Sequence, residues 1–241
     1  MITKNQIKLI KSLRLKKNRI KSGFFIAEGE KIVDDLILSN SELVNIFSNS
    51  EKYKNLDNYI SIKPTQLKQI SSLKTPNNVL GIFKIPKNSE IDYNSNIVAL
   101  EDINDPGNLG TIIRLCDWFG VKNIICSHNS VDCYNPKVVQ ASMGSISRVN
   151  ISYIHFDDFL SVKKHNAVAA DLNGVKLKDY VFSHHQIIFF GSESKGISKK
   201  LSSYVNKKIT IERYNDNVDS LNIASSVAII LSELKNQITE K

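Results

Sequence analysis

Arg114 is one of five arginines in a chain that carries 27 lysines. Where lysine serves as the generic positive charge, an arginine marks a need for planar, multi-donor contact with a phosphate or a carboxylate. It closes the run Asn108-Leu109-Gly110-Thr111-Ile112-Ile113-Arg114. Two other short clusters stand far along the chain: Gly191-Ser192-Glu193-Ser194-Lys195-Gly196 and Ser220-Leu221-Asn222. Each of the three follows an apolar strand-like run or opens a helix-like run, the places where α/β chains gather ligands. Together they offer a guanidinium, a carboxylate and two side-chain amides, groups that hold and orient a substrate.

Simpler local readings exist for each cluster. Asp105-Pro106-Gly107-Asn108 reads as a Pro-Gly turn with Asn108 as helix N-cap, Ser220 as another N-cap, and Gly191 and Gly196 as turn glycines. Other nucleotide sites fit poorly. Gly191 to Ser198 has the glycine separation of a P-loop, but Ile197 stands where the phosphate-binding lysine belongs. No G-x-G-x-x-G follows the first strand of the second half, which disfavours a dinucleotide fold. His184 and His185 are adjacent rather than one helical turn apart, so a metal pair is not expected. The three cysteines, Cys116, Cys126 and Cys133, form no C-x-x-C pair. They fit a reduced cytoplasm and no zinc site.

The net charge of +8 is concentrated. Residues 1 to 27 hold Lys4, Lys8, Lys11, Arg14, Lys16, Lys17, Arg19 and Lys21 and no acid, whereas the remainder is balanced. Such a patch attracts a polyanion and makes binding salt-dependent. It lacks the aromatic face of a membrane-surface helix. No apolar run reaches the length of a membrane span, and the first residues lack the apolar core of a signal peptide.

The elements that must position these groups fall into two sets. The first half reads as a small α/β unit, with helices near 3–13, 30–38 and 64–73 and strands near 23–29, 44–47 and 79–85. Pro86-Lys87-Asn88-Ser89 is the expected linker, giving domains of 1–88 and 94–241. The second half alternates strands at 97–100, 123–126, 149–154, 167–172, 187–190 and 208–211 with helices near 109–119, 136–145, 156–162, 196–204 and 219–235. Near-continuous apolar strands between helices imply a mainly parallel sheet covered on both faces. Asn108 and Arg114 are then roughly 9 Å apart along one helix axis, a gap that a long arginine side chain could largely close.

The order and spacing of the three clusters resemble the SpoU/TrmH family of RNA 2′-O-methyltransferases, members of the SPOUT superfamily. The first motif is Asp105-Pro106-Gly107-Asn108, with Gly110 and Arg114. The second is Gly191, Glu193 and Gly196, and the third Ser220-Leu221-Asn222. Gln140-Ala141-Ser142-Met143-Gly144-Ser145 followed by Arg148 is a further family-like stretch. Lys16-Lys17-Asn18-Arg19 before Phe24 to Gly29 is similar to the N-terminal RNA-binding domain of one branch. The resemblance implies a deep trefoil knot in about residues 185–241 and S-adenosyl-L-methionine as cofactor. It implies Arg114, Asn108, Glu193, Ser220 and Asn222 as the catalytic set. Gly191, Ser192, Glu193, Gly196, Ile211, Ser220 and Leu221 would hold the cofactor. Lys4, Lys8, Lys11, Lys16, Lys17, Arg19, Lys21 and Arg148 would contact RNA. The expected substrate is ribosomal RNA, with transfer RNA as an alternative. The expected assembly is a homodimer through the knotted domain, cytoplasmic and without a metal. A non-catalytic RNA-binding protein on the same scaffold is the competing expectation.

Overall fold

Two compact units make up the chain, and the sequence does not divide into them in a single cut. One comprises residues 1–87 together with 132–148, the other 88–131 together with 149–241. The structure, a computed structural model, describes residues 2–87, 89–156, 166–192, 195–205 and 207–239. Most of the helix expected at 156–162, and Glu193 of the second cluster, lie outside the described residues.

The first unit opens with α1 (Lys4–Ser12), started by a capping box between Thr3 and Gln6. Helix α2 (Lys16–Ser22) ends at Gly23, whose φ of 71° suits a residue without a Cβ. A four-stranded sheet follows, built from β1 (Phe24–Glu28), β2 (Leu43–Ser48), β3 (Tyr59–Ser61) and β4 (Val79–Lys84) in the order β1-β4-β2-β3. β4 runs antiparallel to both β1 and β2, while β2 and β3 are parallel. Helices α3 (Glu30–Leu38) and α4 (Pro64–Ile70) complete the layer. Ile10, Leu13, Ile26, Phe47, Leu67, Ile70, Leu80 and Ile82 close the core.

Segment 132–148 packs with this unit, although the expected boundaries assigned it to the second domain. Tyr134 meets Phe25 with ring centroids 4.8 Å apart. Ser147 Oγ donates to Ser39 Oγ at 2.9 Å. The Asp35 side chain lies so close under Gly144 that a Cβ there would come within 2.5 Å of its oxygen. Arg19, expected to contact RNA, is instead buried at 2 % exposure. Its Nε donates to Asp132 Oδ2 at 2.8 Å and its Nη1 to the Leu13 carbonyl at 2.7 Å. Arg148 is half engaged, 3.6 Å from Asp35. Arg14 donates to the carbonyls of Ile70 and Ser71 at the end of α4. The lysines differ: Lys4, Lys8, Lys11, Lys16, Lys17 and Lys21 are all exposed, the first three as one stripe on α1.

The second unit carries a six-stranded, wholly parallel sheet. Its strands are β5 (Ile97–Leu100), β6 (Asn123–Ser127), β7 (Asn150–Ile154), β8 (Ala167–Lys176), β9 (Ile187–Phe190) and β10 (Lys207–Thr210), ordered β10-β8-β9-β5-β6-β7. β5, β6 and β9 are apolar nearly throughout because helices cover them. Those helices include α5 (Pro106–Trp118), the short α7 (Lys199–Ser202) and α8 (Ile223–Thr239); α6 (Pro136–Ser142) belongs to the other unit. α6 stops short of the expected 145 because Met143 and Gly144 both take positive φ.

One strand departs from simple pairing. Lys208 pairs with Ala169, but the next residue, Ile209, pairs with Val175. Residues 170–174 therefore loop out of the β8–β10 ladder. Gly174 allows this because a Cβ there would lie 2.6 Å from the Lys208 backbone.

Replacing Arg19 by Ala leaves Asp132 without its buried partner. The expected cost is about 3–5 kcal/mol, read by denaturant unfolding. A variant of unchanged stability with weakened RNA binding would return Arg19 to the RNA surface.

Candidate functional site

The carboxyl end of β5 is where the site begins. Asp102 takes a left-handed backbone with φ of 55°. Its N–H donates to Ser127 Oγ at 2.8 Å, and Ser127 Oγ donates back to Asp102 Oδ1 at 2.7 Å. The Ile103 N–H donates to Ser130 Oγ at 3.2 Å, and Val131 N–H to the Ile103 carbonyl at 2.8 Å. The turn leading to α5 is thus laced to the end of β6 and the segment after it. Pro106 occupies the first position of α5, and Asp105 is the cap, its Oδ1 accepting from Asn108 N–H at 2.8 Å. The cap is not Asn108, whose side chain is left to face elsewhere.

Asn222 Nδ2 donates to Asn108 Oδ1 at 2.9 Å. Asn222 Oδ1 accepts from Ala224 N–H at 2.9 Å, so Asn222, not Ser220, caps α8. This cap explains why the helix starts at Ile223 rather than near 219. One amide group uses its acceptor for the helix end and its donor for a residue 114 positions away. The first and third clusters are joined directly by this bond.

The second cluster is a tight turn. Ser192 and Gly196 exchange two backbone hydrogen bonds, of 3.1 and 2.8 Å. A Cβ on Gly191 would fall 2.1 Å from the Gly196 carbonyl carbon, so this position accepts only glycine without displacing backbone. Of Glu193 nothing further is described.

A cavity of about 730 Å³ opens beside this turn. Gly191, Ser192, Gly196, Ile211, Ser220 and Leu221, all assigned to the cofactor from sequence, line it. Its far wall is the excursion of β8, which the sequence reading missed. There Asp171 Oδ2 accepts from Lys208 Nζ at 2.8 Å. Partial burial pushes the Asp171 carboxyl up, but the Lys208 ammonium and the N–H groups of Asn173 and Leu172 outweigh it and hold the pKa below the usual carboxylate value. The mouth carries exposed apolar side chains, Leu172, Tyr214, Val218 and Leu221.

Arg114 does not reach Asn108. Six residues of helix leave the two side chains about 120° apart around α5 as well as about 9 Å apart along it. Arg114 is exposed, and its side chain makes no hydrogen bond or ion pair among the described residues. It shares a stripe with Thr111, Leu115 and Trp118, the last 82 % exposed.

A parallel α/β sheet with a glycine turn and a cavity at its strand ends defines an α/β protein built to hold a small molecule there. Residues 95–232 match the SpoU rRNA methylase family, and residues 4–81 match an MRM3-like substrate binding domain. The chain belongs to the SpoU rRNA methylase family. It is 24% identical over 242 residues to the 23S rRNA (guanosine(2553)-2′-O)-methyltransferase RlmP of Bacillus subtilis, covering 96% of this chain and 97% of that one. Among solved structures, a TrmH-family protein from Porphyromonas gingivalis superposes with a TM-score of 0.90 at 30% identity, covering 98% and 99% of the two chains. The AdoMet-bound rRNA methyltransferase of Sinorhizobium meliloti gives a TM-score of 0.88 at 27% identity, covering 99% and 97%.

The doubled use of Asn222 is separable by substitution. Asn222→Ala removes cap and link together and should cost about 1–2 kcal/mol in thermal unfolding. Asn222→Asp keeps the capping oxygen and loses the donor to Asn108, so it should retain most of that stability while losing methyl transfer.

Proposed function

We infer that the protein transfers the methyl group of S-adenosylmethionine to a ribose 2′-hydroxyl of ribosomal RNA. The observation that carries this reading is the cavity beside the Gly191–Gly196 turn, bordered by Ser220 and Leu221 and next to the Asn222–Asn108 bond. Its volume lies within the usual range for cofactor sites, about 300–1,000 Å³. Gly191 lets the turn close on itself at this wall of the cavity, because the backbone of Gly196 and Ile197 occupies the space a Cβ would take. Two relatives add support: the Sinorhizobium meliloti protein is AdoMet-bound, and the Bacillus subtilis protein is named for 2′-O-methylation of 23S rRNA.

When bound, S-adenosylmethionine supplies an electrophilic methyl on a positive sulfur. The residues of this chain then have three tasks. The turn 191–196, Ile211 and Ser220-Leu221 enclose the donor. Asn108, held by Asn222, fixes the start of α5 at the edge of that enclosure, with Glu193 completing the set. Arg114 binds the ribose hydroxyl and a neighbouring phosphate. A guanidinium keeps its charge far above neutral pH, so Arg114 orients the phosphate, and a phosphate oxygen takes the hydroxyl proton.

The finer architecture follows the same reading. Residues 185–241 thread as a trefoil knot; the observation in favour is that β9 and β10 flank β8, which precedes both. The protein acts as a homodimer through this unit. Trp118 stands 82 % exposed, and a second copy covering it would also cover Arg114, one helical turn away, bringing that guanidinium toward a neighbouring cavity. The first unit, through Lys4, Lys8, Lys11, Lys16, Lys17 and Lys21, grips RNA phosphates. The work is cytoplasmic, in keeping with three buried cysteines that form no disulfide among the described residues. Among the described residues no helix is long and apolar enough to cross a membrane.

Methyl transfer from labelled S-adenosylmethionine to ribosomal RNA tests the assignment. Arg114→Ala should lower it by roughly 10²-fold or more while cofactor binding persists; near-native transfer contradicts the role given to Arg114. Replacing Lys4, Lys8 and Lys11 together by Ala should weaken RNA binding across sequences and flatten the slope of log K against log salt by about 2–3. An unchanged slope moves the RNA surface elsewhere.

A further inference from the structure

We propose that Glu101, just past the end of β5, is a positioning residue that holds the methyl-donor turn closed. The proposal rests on the reading of the Gly191–Gly196 turn as a wall of the cofactor cavity. Glu101 N–H donates to the Phe190 carbonyl at 2.9 Å, adding one bond to the β5–β9 ladder. Its side-chain Oε2 accepts from Ser198 N–H at 2.8 Å. Phe190 immediately precedes the turn and Ser198 follows it by two residues, so one residue holds the chain on both sides of it. Between them the turn closes on itself through the Ser192–Gly196 pair. Gly191 also packs directly against the Gly196 backbone, which fixes the two ends of the turn to each other. The carboxylate of Glu101 then fixes the Ser198 end relative to the sheet.

The bond is charge-assisted, and bonds of that kind are about twice as strong as neutral ones. It is also exposed, so water can satisfy Ser198 N–H when the carboxylate is removed. Loss of Glu101 therefore loosens the turn more than it unfolds the domain. Glu101 is absent from the residues lining the cavity, so it acts on the donor only through the turn. The same residue precedes Asp102, which anchors the approach to Asn108. The first and second clusters thus meet at adjacent residues of one strand end.

Calorimetric titration of the full-length protein with S-adenosylmethionine, alongside thermal unfolding and donor KM, tests this. Glu101→Ala should raise the donor Kd about tenfold, and the loss should appear in the KM for the donor and not in that for RNA. Glu101→Asp keeps the charge but is one methylene too short, and should behave like Ala. Glu101→Gln keeps an oxygen that can accept from Ser198 and should stay within about threefold of wild type. Native affinity in the Ala or Asp variant, or a Gln variant as weak as Ala, overturns the role of Glu101. Gly191→Ala separates the underlying reading: it should abolish donor binding, and native affinity there overturns the assignment of the turn itself.

Discussion

Within eight residues, the carboxyl end of β5 has to meet three separate partners. Glu101 reaches Phe190 and Ser198 around the glycine turn. Asp102 and Ile103 are tied to Ser127 at the end of β6 and to Ser130 just past it. Asn108 receives Asn222 from the start of α8. β5 can serve all three because it is an inner strand, hydrogen-bonded to β9 on one side and β6 on the other. Parallel pairing brings the ends of β9, β5 and β6 to one edge of the sheet. The polar groups that the sequence scatters over more than a hundred residues are thereby brought to a common edge. The left-handed φ at Asp102 is the local cost of the sharp exit, offset by two hydrogen bonds to one serine hydroxyl.

Polar residues here divide by whether their donors and acceptors are consumed. Asn222 is engaged by the cap and by Asn108, and Asp105 caps α5. Such groups give rigidity. Arg114 and the lysines of α1 and α2 stand exposed on helix faces, suited to meeting a polyanion that arrives from solution. Burial makes the distinction sharply in the first unit. Arg19 and Lys17 are near neighbours in sequence, yet Arg19 is buried against Asp132 while Lys17 faces solvent.

Much of the second unit could be read from apolar runs, because strands covered on both faces leave little ambiguity in the chain. Val98 to Leu100 and Ile187 to Phe190 are of this kind, and Gly191, Ser192, Gly196, Ser220 and Leu221 line one cavity. What escaped depended on partners distant in sequence. Nothing local announces that Arg19 will find Asp132, or that 132–148 will pack against α3 and β1. The excursion at 170–174 escaped because its cause, the backbone of Lys208, lies on another strand. Helix caps were misread by a few residues for a simpler reason. Asp105 and Asn108, like Ser220 and Asn222, are all competent caps, and only the pairing of Asn108 with Asn222 decides among them.

A crystal structure of the protein with S-adenosylhomocysteine tests the central claim most directly. The product should lie between the Gly191–Gly196 turn and Ser220-Leu221, with the Asn222–Asn108 bond and the Glu101–Ser198 bond intact. Product bound elsewhere, or bound there only after those two bonds have broken, would contradict the account.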